Sequence, residues 1–325
     1  MVYWTAGAAG KDVNSGDMSR QKATSSDRAA LGEIELPGRY NYVAAFLTLG
    51  CNLRCSYCIN WLGAERRAGR LMSGADWLLG LNRLVSRPDL PVTLQGGEPS
   101  LHPDFHQIIN GLRGDLNIDI LTNLQFDVEE FIAAVAPQRL RRDAPYASIR
   151  VSYHPEVMDL AQTKAKVLRL LEKGYSVGIW AVRHPAHSRR IEQARDECTR
   201  EGIDFRLKEF LGFHEGRLFG RYKYPDAVAA EQSGEAEGDV ANAAGGEVLC
   251  RTSELIIGPS GDVYRCHGDL YRDRKPVGHI LDEAFVIEDV HRSCGAYGQC
   301  NPCDVKVKTD RFQQYGHTSV DIRFP

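Results

Sequence analysis

The stretch Thr48-Leu49-Gly50-Cys51-Asn52-Leu53-Arg54-Cys55-Ser56-Tyr57-Cys58 puts three thiols on one short loop. It follows the apolar run 43–48, which reads as a strand. Three thiolates at this spacing can ligate three irons of a cubane and leave the fourth iron open to a ligand. A set of four cysteines would close that position. Structural zinc sites take four protein ligands, usually from paired CxxC units, so CxxxCxxC with no fourth cysteine nearby fits zinc poorly.

Downstream of this loop the hydrophobic pattern alternates between the periods of helix and strand. Helical spacing covers 75–86, 105–112, 128–135, 160–173 and 189–201, the last two stopping at Gly174 and Gly202. Between them, 92–94, 118–121, 148–153, 177–182 and 205–210 read as strands. With the strand at 43–48 this makes six β/α-type units, and such alternation predicts a parallel sheet with right-handed crossovers. Six units fall short of an eight-fold closure, so the expected fold is α/β, a partial (β/α)6 barrel. Its chemistry belongs at the C-terminal ends of the strands, which is where the cysteine loop sits.

A second motif, Leu94-Gln95-Gly96-Gly97-Glu98-Pro99, closes the second strand. Two glycines let a backbone approach a ligand closely, and Glu98 offers a charge-assisted hydrogen bond to an ammonium. The plain alternative is a strand-to-helix turn with a solvated acid. Its position one β/α unit after the cysteines argues against that alternative.

Together these residues resemble the radical SAM superfamily. The resemblance implies that Cys51, Cys55 and Cys58 hold a [4Fe–4S] cluster whose open iron binds S-adenosylmethionine, which is then cleaved to a 5'-deoxyadenosyl radical. It implies that Tyr57 touches the adenine and that Gly96, Gly97 and Glu98 bind the amino group. Asn123 and Ser152, at the ends of the third and fourth strands, resemble sites for the ribose or carboxylate; each can equally be an ordinary strand-end polar group. Lys208 and Glu209 point one to each face of the sixth strand, so one of them faces the interior. His154 is placed to reach a substrate, or is a surface histidine.

The remaining cysteines are Cys198, alone, and five between 250 and 303. Cys250-x10-Gly261-x4-Cys266 resembles the opening of the SPASM and twitch extensions of the same superfamily, which hold auxiliary clusters. A five-cysteine set suits the shorter twitch type with one further [4Fe–4S] cluster. By that pattern Cys250, Cys266, Cys300 and Cys303 are ligands and Cys294 is spare; the other assignment makes Cys294 a ligand and Cys266 the free thiol. A thiol gives its hydrogen atom readily to a carbon radical, so Cys294 or Cys266 is a candidate catalytic donor. An inert buried cysteine or a zinc knot is the bland alternative. Within the segment, 255–257 and 263–265 read as a hairpin around Pro259-Ser260-Gly261, and so small a unit needs a metal to supplement its core.

Composition sets the remaining bounds. The chain has 325 residues, 43% hydrophobic and 26% charged, with a net charge of -3. That balance lacks the dense basic surface of a nucleic-acid binder, and no apolar run approaches a membrane span. Nine cysteines without an export signal point to a reducing compartment and metal ligation, so a cytoplasmic location is expected. Residues 1–38 read as a disordered extension or tag, Met18 being a plausible start, 39–225 as the barrel, 226–247 as a flexible acidic linker and 248–325 as the auxiliary-cluster domain with a tail. The count of cysteines, the spare thiol and the acidic segment, which would suit a polyamine, resemble the aminoglycoside epimerases that invert a sugar carbon. The implied partners are a polycationic sugar and an electron donor such as flavodoxin or ferredoxin. A twitch-type alcohol dehydrogenase and a peptide-modifying enzyme are the alternatives.

Overall fold

The computed structural model describes residues 31–58, 70–210, 212–215, 217–219, 248–295 and 320–323. The linker expected over 226–247 lies outside them, as do Cys300 and Cys303. The chain divides into Met1–Leu31 and Gly32–Pro325, and the architecture below belongs to the second unit.

In chain order, β1 (Ile34–Glu35) and β2 (Tyr42–Thr48) precede α1 (Gly74–Leu81), β3 (Leu84–Val85) and β4 (Val92–Gly96). Then follow α2 (Phe105–Gly111), β5 (Ile118–Thr122), α3 (Val128–Ala134), β6 (Ile149–Ser152), α4 (Leu160–Glu172) and β7 (Val177–Arg183). Next come α5 (Ser188–Arg200), β8 (Phe205–Glu209), β9 (Gly212–His214) and β10 (Arg217–Phe219). The last elements are β11 (Val248–Thr252), β12 (Glu254–Ile257), β13 (Asp262–Tyr264), α6 (His267–Tyr271), β14 (Gly278–His279), β15 (Arg292–Cys294) and β16 (Val320–Arg323).

The central sheet runs β14-β13-β12-β2-β4-β5-β6-β7-β8. From β12 to β8 every neighbouring pair is parallel, so the six expected strands lie side by side in chain order. Local signals set the helices between them. Asp127 and Asp159 cap α3 and α4 by accepting from backbone N–H groups one turn on. Gly174 and Gly202 follow α4 and α5 at φ of 84° and 79°, a conformation that glycine adopts without strain.

Two features differ from the sequence reading. The helix expected over 75–86 stops at Leu81, and Leu84–Val85 pairs in parallel with Ile34–Glu35. Ile34, inside the stretch read as an extension, is therefore buried; a two-residue strand carries no periodicity to announce it. The hairpin of β12 and β13 forms as expected, yet β12 also pairs with β2, Leu255 opposite Val43 and Ile257 opposite Ala45. It thus continues the sheet that carries the cysteine loop.

The two faces of the sheet are chemically distinct. Val43, Ala45, Leu47, Val92, Leu94, Ile118, Ile120, Ile149, Val151, Val177 and Ile179 pack against Trp77, Ile108, Phe131, Val167, Leu170 and Ile191 of the helices. Cys198 is fully buried in this core, and burial raises its thiol to about 11, so it is a packing residue. Strand alternation sends Tyr42, Phe46, Thr93, Gln95, Asp119, Arg150, Ser152, Trp180 and Lys208 to the opposite face. There α6 covers one end: Leu270 and Tyr271 pack with Tyr42, Ala44, Phe46 and Ile256. Under β4 to β8 this face carries Gln95, Asp119, Arg150 and Ser152, with Trp180 packed on Tyr146 and Ala147.

Candidate active site

The cysteine loop leaves β2 at Thr48 and is held by the Gly-rich turn after β4. The N–H of Gly97 donates to the Thr48 carbonyl at 2.9 Å, and that of Glu98 to the Gly50 carbonyl at 2.8 Å. A Cβ on Gly96 would lie 2.0 Å from the Thr48 carbonyl oxygen, and one on Gly97 2.1 Å from that of Gly50. The glycines are thus required first for the close approach of two backbone segments.

Glu98 is fully buried. Its carboxylate accepts from the Ser100 N–H at 3.1 Å, the Ser100 hydroxyl at 2.7 Å, the Thr122 hydroxyl at 2.8 Å and the Asn123 N–H at 2.7 Å. Burial pushes its pKa upward against the pull of these donors. The acid therefore clamps the turn after β4 to the end of β5, and its oxygens are engaged by the protein.

The clamp positions Asn123. Its side-chain N–H donates to Asn52 Oδ1 at 2.7 Å and lies 3.7 Å from the Cys51 sulfur, which also receives the Leu53 N–H at 3.4 Å. Cys51, Cys55 and Cys58 are half-buried and unbridged. Burial, then the charges of Cys58, Glu156 and Cys51, push the Cys55 thiol up to about 12. A thiol so placed is stable as a thiolate only with cationic charge beside it. Among the described residues no three His, Cys, Asp or Glu side chains converge on a single-ion site; cubane ligands are spread over three separate irons. The loop fits an iron–sulfur cluster held by these thiolates.

Tyr57 joins the loop to the ends of β6 and β7. Its ring stacks on His184 at 4.8 Å and 23°, and its hydroxyl bonds His154 Nδ1 at 3.1 Å. Burial lowers His154 to about 4, so the imidazole is neutral at neutral pH. His154 is half-buried against Tyr57 rather than a surface group. His214 meets His184 at 4.7 Å, and His187 lies 3.4 Å from Glu156. Glu156 accepts from both the N–H and the hydroxyl of Ser56. Burial pulls this acid up, but Ser56 and His187 outweigh it and hold it below the ordinary range. Sequence reasoning missed Glu156, His184 and His187; their one local signal is a place just past a strand's C-terminal end. Ser152, half-buried on the polar face, lies opposite Trp180. Phe205 and Leu207 pack on the helical side, so Lys208 is the residue of its pair that faces the polar side.

Of the second cysteine group, Cys250 and Cys294 lie on the paired strands β11 and β15 of the three-stranded sheet β15-β11-β16. Cys250 is raised by a hydrogen bond with Cys294, by burial, and by the charges of Cys294 and Cys266. Cys266 stands at the start of α6. At the other end of that helix Tyr271 is raised by burial and by the charge of Cys58.

Residues 46–179 match the family model of the radical SAM superfamily. A 74-residue stretch is 36% identical to 7-carboxy-7-deazaguanine synthase of Methanothermobacter thermautotrophicus, covering 23% of this chain and 29% of that protein. A 64-residue stretch is 44% identical to PqqA peptide cyclase of Methylorubrum populi, covering 20% and 16%. The chain thus spans less than a third of the length of these curated relatives. The crystal structure of Streptococcus suis SuiB bound to precursor peptide SuiA shares the fold, with a TM-score of 0.50 at 15% identity over 78% of this chain and 64% of that one. The chain carries a radical SAM superfamily domain, whose cofactors are a [4Fe–4S] cluster and S-adenosylmethionine.

Proposed function

We propose that the chain is a radical SAM enzyme that removes a hydrogen atom from a substrate on the polar face of the sheet and returns one from a cysteine thiol, an epimerase. The observation that carries this reading is the grouping of Cys250, Cys294 and Cys266, the last standing at the start of α6, whose far end at Tyr271 feels the charge of Cys58. Bound at Cys51, Cys55 and Cys58, the cluster and S-adenosylmethionine supply a 5'-deoxyadenosyl radical. The chain's own residues do the rest. Asn123 and the Leu53 N–H tune the Cys51 sulfur, Tyr57 and Ser152 line the cofactor side, and the backbone of Gly96 and Gly97 offers polar groups to its amino end.

Cys250 and its neighbours would hold the auxiliary cluster together with Cys300 and Cys303. The hydrogen bond between Cys294 and Cys250 favours Cys294 as a ligand and leaves Cys266 as the donor thiol. The thiol S–H bond breaks as the new C–H bond forms, and the resulting thiyl takes one electron and one proton. The electron comes from a reduced iron–sulfur or flavin donor protein, of the flavodoxin or ferredoxin kind.

Incubation of the reconstituted enzyme with S-adenosylmethionine and a substrate panel in deuterated water tests the reading. An epimerase incorporates deuterium without net oxidation; a ketone product would establish the dehydrogenase reading instead. Cys266→Ala should still form 5'-deoxyadenosine and lose inversion. Normal epimer yields from both Cys266→Ala and Cys294→Ala would refute the thiol donor. The panel includes aminoglycosides. Peptide modification is the second reading, favoured by the stretch shared with PqqA peptide cyclase; a peptide cross-link, with loss of two hydrogens, would establish it.

A further inference from the structure

The turn that carries Asn123 holds an unfavourable backbone conformation. Leu124, two residues past the end of β5, has a φ of 57°. A bulky side chain rarely enters this left-handed region, because its Cβ crowds the neighbouring carbonyl. Among the described residues Glu215 and Asp273 also have positive φ without being glycine, but both are exposed. Leu124 is fully buried and belongs to the core on the helical side of the sheet. Such a conformation persists only where its surroundings fix it.

The surroundings do so from both ends of the residue. The Leu124 N–H donates to Thr122 Oγ1 at 2.9 Å. The ammonium of Lys166, on α4, donates to the carbonyls of Leu124 and Phe126, each at 2.9 Å. Burial lowers the pKa of Lys166 against the opposing charge of Asp127. That acid caps α3, and the hydrogen bonds of Lys166 run to the turn.

The turn in its turn decides which way the Asn123 amide faces. The Gln125 N–H, directly after the left-handed residue, donates to Asn123 Oδ1 at 3.0 Å. That bond occupies the amide oxygen, so Nδ2 is the end that meets Asn52 Oδ1 at 2.7 Å and the Cys51 sulfur at 3.7 Å. An amide turned over would set an acceptor against the sulfur.

We propose that Lys166 is a positioning residue for the cluster at Cys51, Cys55 and Cys58: by holding Leu124 left-handed it keeps an Asn123 N–H on the Cys51 sulfur, and so keeps the reduction potential of the cluster up. This rests on the reading of that loop as the seat of the cluster. It gives α4, which supplies none of the contacts to the cysteine loop described above, a hold on the redox chemistry through a single turn.

Redox titration of the reconstituted full chain, followed by electron paramagnetic resonance, tests it. The signal to follow is the one that S-adenosylmethionine perturbs, since that ligand needs an open iron. Lys166→Met keeps the stem and removes the donors; it lowers this potential with iron content unchanged. Lys166→Arg, which can still donate to both carbonyls, stays at the wild-type value. Lys166→Gln retains a neutral donor, gives a smaller fall, and serves if the methionine variant does not fold. The double variant Lys166→Met with Asn123→Ala matches Asn123→Ala alone, because the two residues act in series. An unchanged potential in the folded Met and Gln variants overturns the proposal. So does a fall that adds in full to that of Asn123→Ala, which would mean that the ammonium acts through its own field. A wild type whose signals ignore S-adenosylmethionine defeats the reading beneath, and the proposal with it.

Discussion

Glu156, just past the end of β6, holds Ser56 of the cysteine loop by two hydrogen bonds, one from its backbone N–H and one at 2.8 Å from its hydroxyl. Ser56 lies between two of the three cluster thiols, so the acid fixes the spacing of Cys55 and Cys58. Glu156→Ala removes bonds to a charged acceptor worth about 2 kcal/mol. Iron release to a chelator should accelerate on the order of tenfold, with the far-ultraviolet circular dichroism unchanged. Because its folded pKa is depressed, the latch is fully present above the ordinary carboxylate pKa and is lost as pH falls through the depressed value. Release rates should then be flat around neutrality.

Gly97→Ala drives a methyl group to 2.1 Å from the Gly50 carbonyl. Two backbone segments must separate, at a cost on the order of 2 kcal/mol. The expected variant is less stable in thermal denaturation and binds fewer irons per chain. A folded variant with full iron content would contradict the packing role of this glycine.

Asn123 directs an N–H toward the Cys51 sulfur. Hydrogen bonds to cluster sulfurs stabilise the more negative, reduced state and raise its potential. Asn123→Ala should lower the reduction potential of the cluster at Cys51, Cys55 and Cys58, read by electron paramagnetic resonance during a redox titration. An unchanged potential would show that this contact does not tune the cluster.

His154 gives a pH signature. Its pKa falls from 6.5 to about 4 on folding, first through burial. A lowered folded pKa means that the unfolded chain binds the extra proton between these values, so stability is full above 6.5 and declines as pH falls toward 4. The loss is on the order of 2–3 kcal/mol over that window. His154→Asn should flatten that part of the stability profile, measured by denaturant unfolding at a series of pH values.

Much of this architecture is written locally. The spacing of apolar residues marks α4 and the strands beside it, and Asp159 and Gly174 bracket the helix through contacts within a turn. The cysteine loop is equally legible, because its ligands are neighbours in sequence. What escapes is pairing across distance. Glu156 and Ser56 are 100 residues apart, and nothing near either foretells the other. The pairing of Ile34 with Leu84 is too short to leave a period. Glu98 shows a further limit: its position was evident, but the four donors that occupy its carboxylate come from the backbone and side chains of two separate turns.

The contact of β12 with β2 ties the order of folding to the order of synthesis. Glu254 pairs with Tyr42 and Ile257 with Ala45, so the strand that leads into the cysteine loop lacks a neighbour on one side until the last third of the chain leaves the ribosome. An unpaired parallel edge is a template for aggregation, and closure over so long a separation in sequence is slow. Iron delivered to the first three cysteines early would meet a half-built sheet. Maturation of the cluster is therefore expected to follow completion of the polypeptide, and a chain shortened before residue 248 should collect as insoluble protein rather than as a small working core.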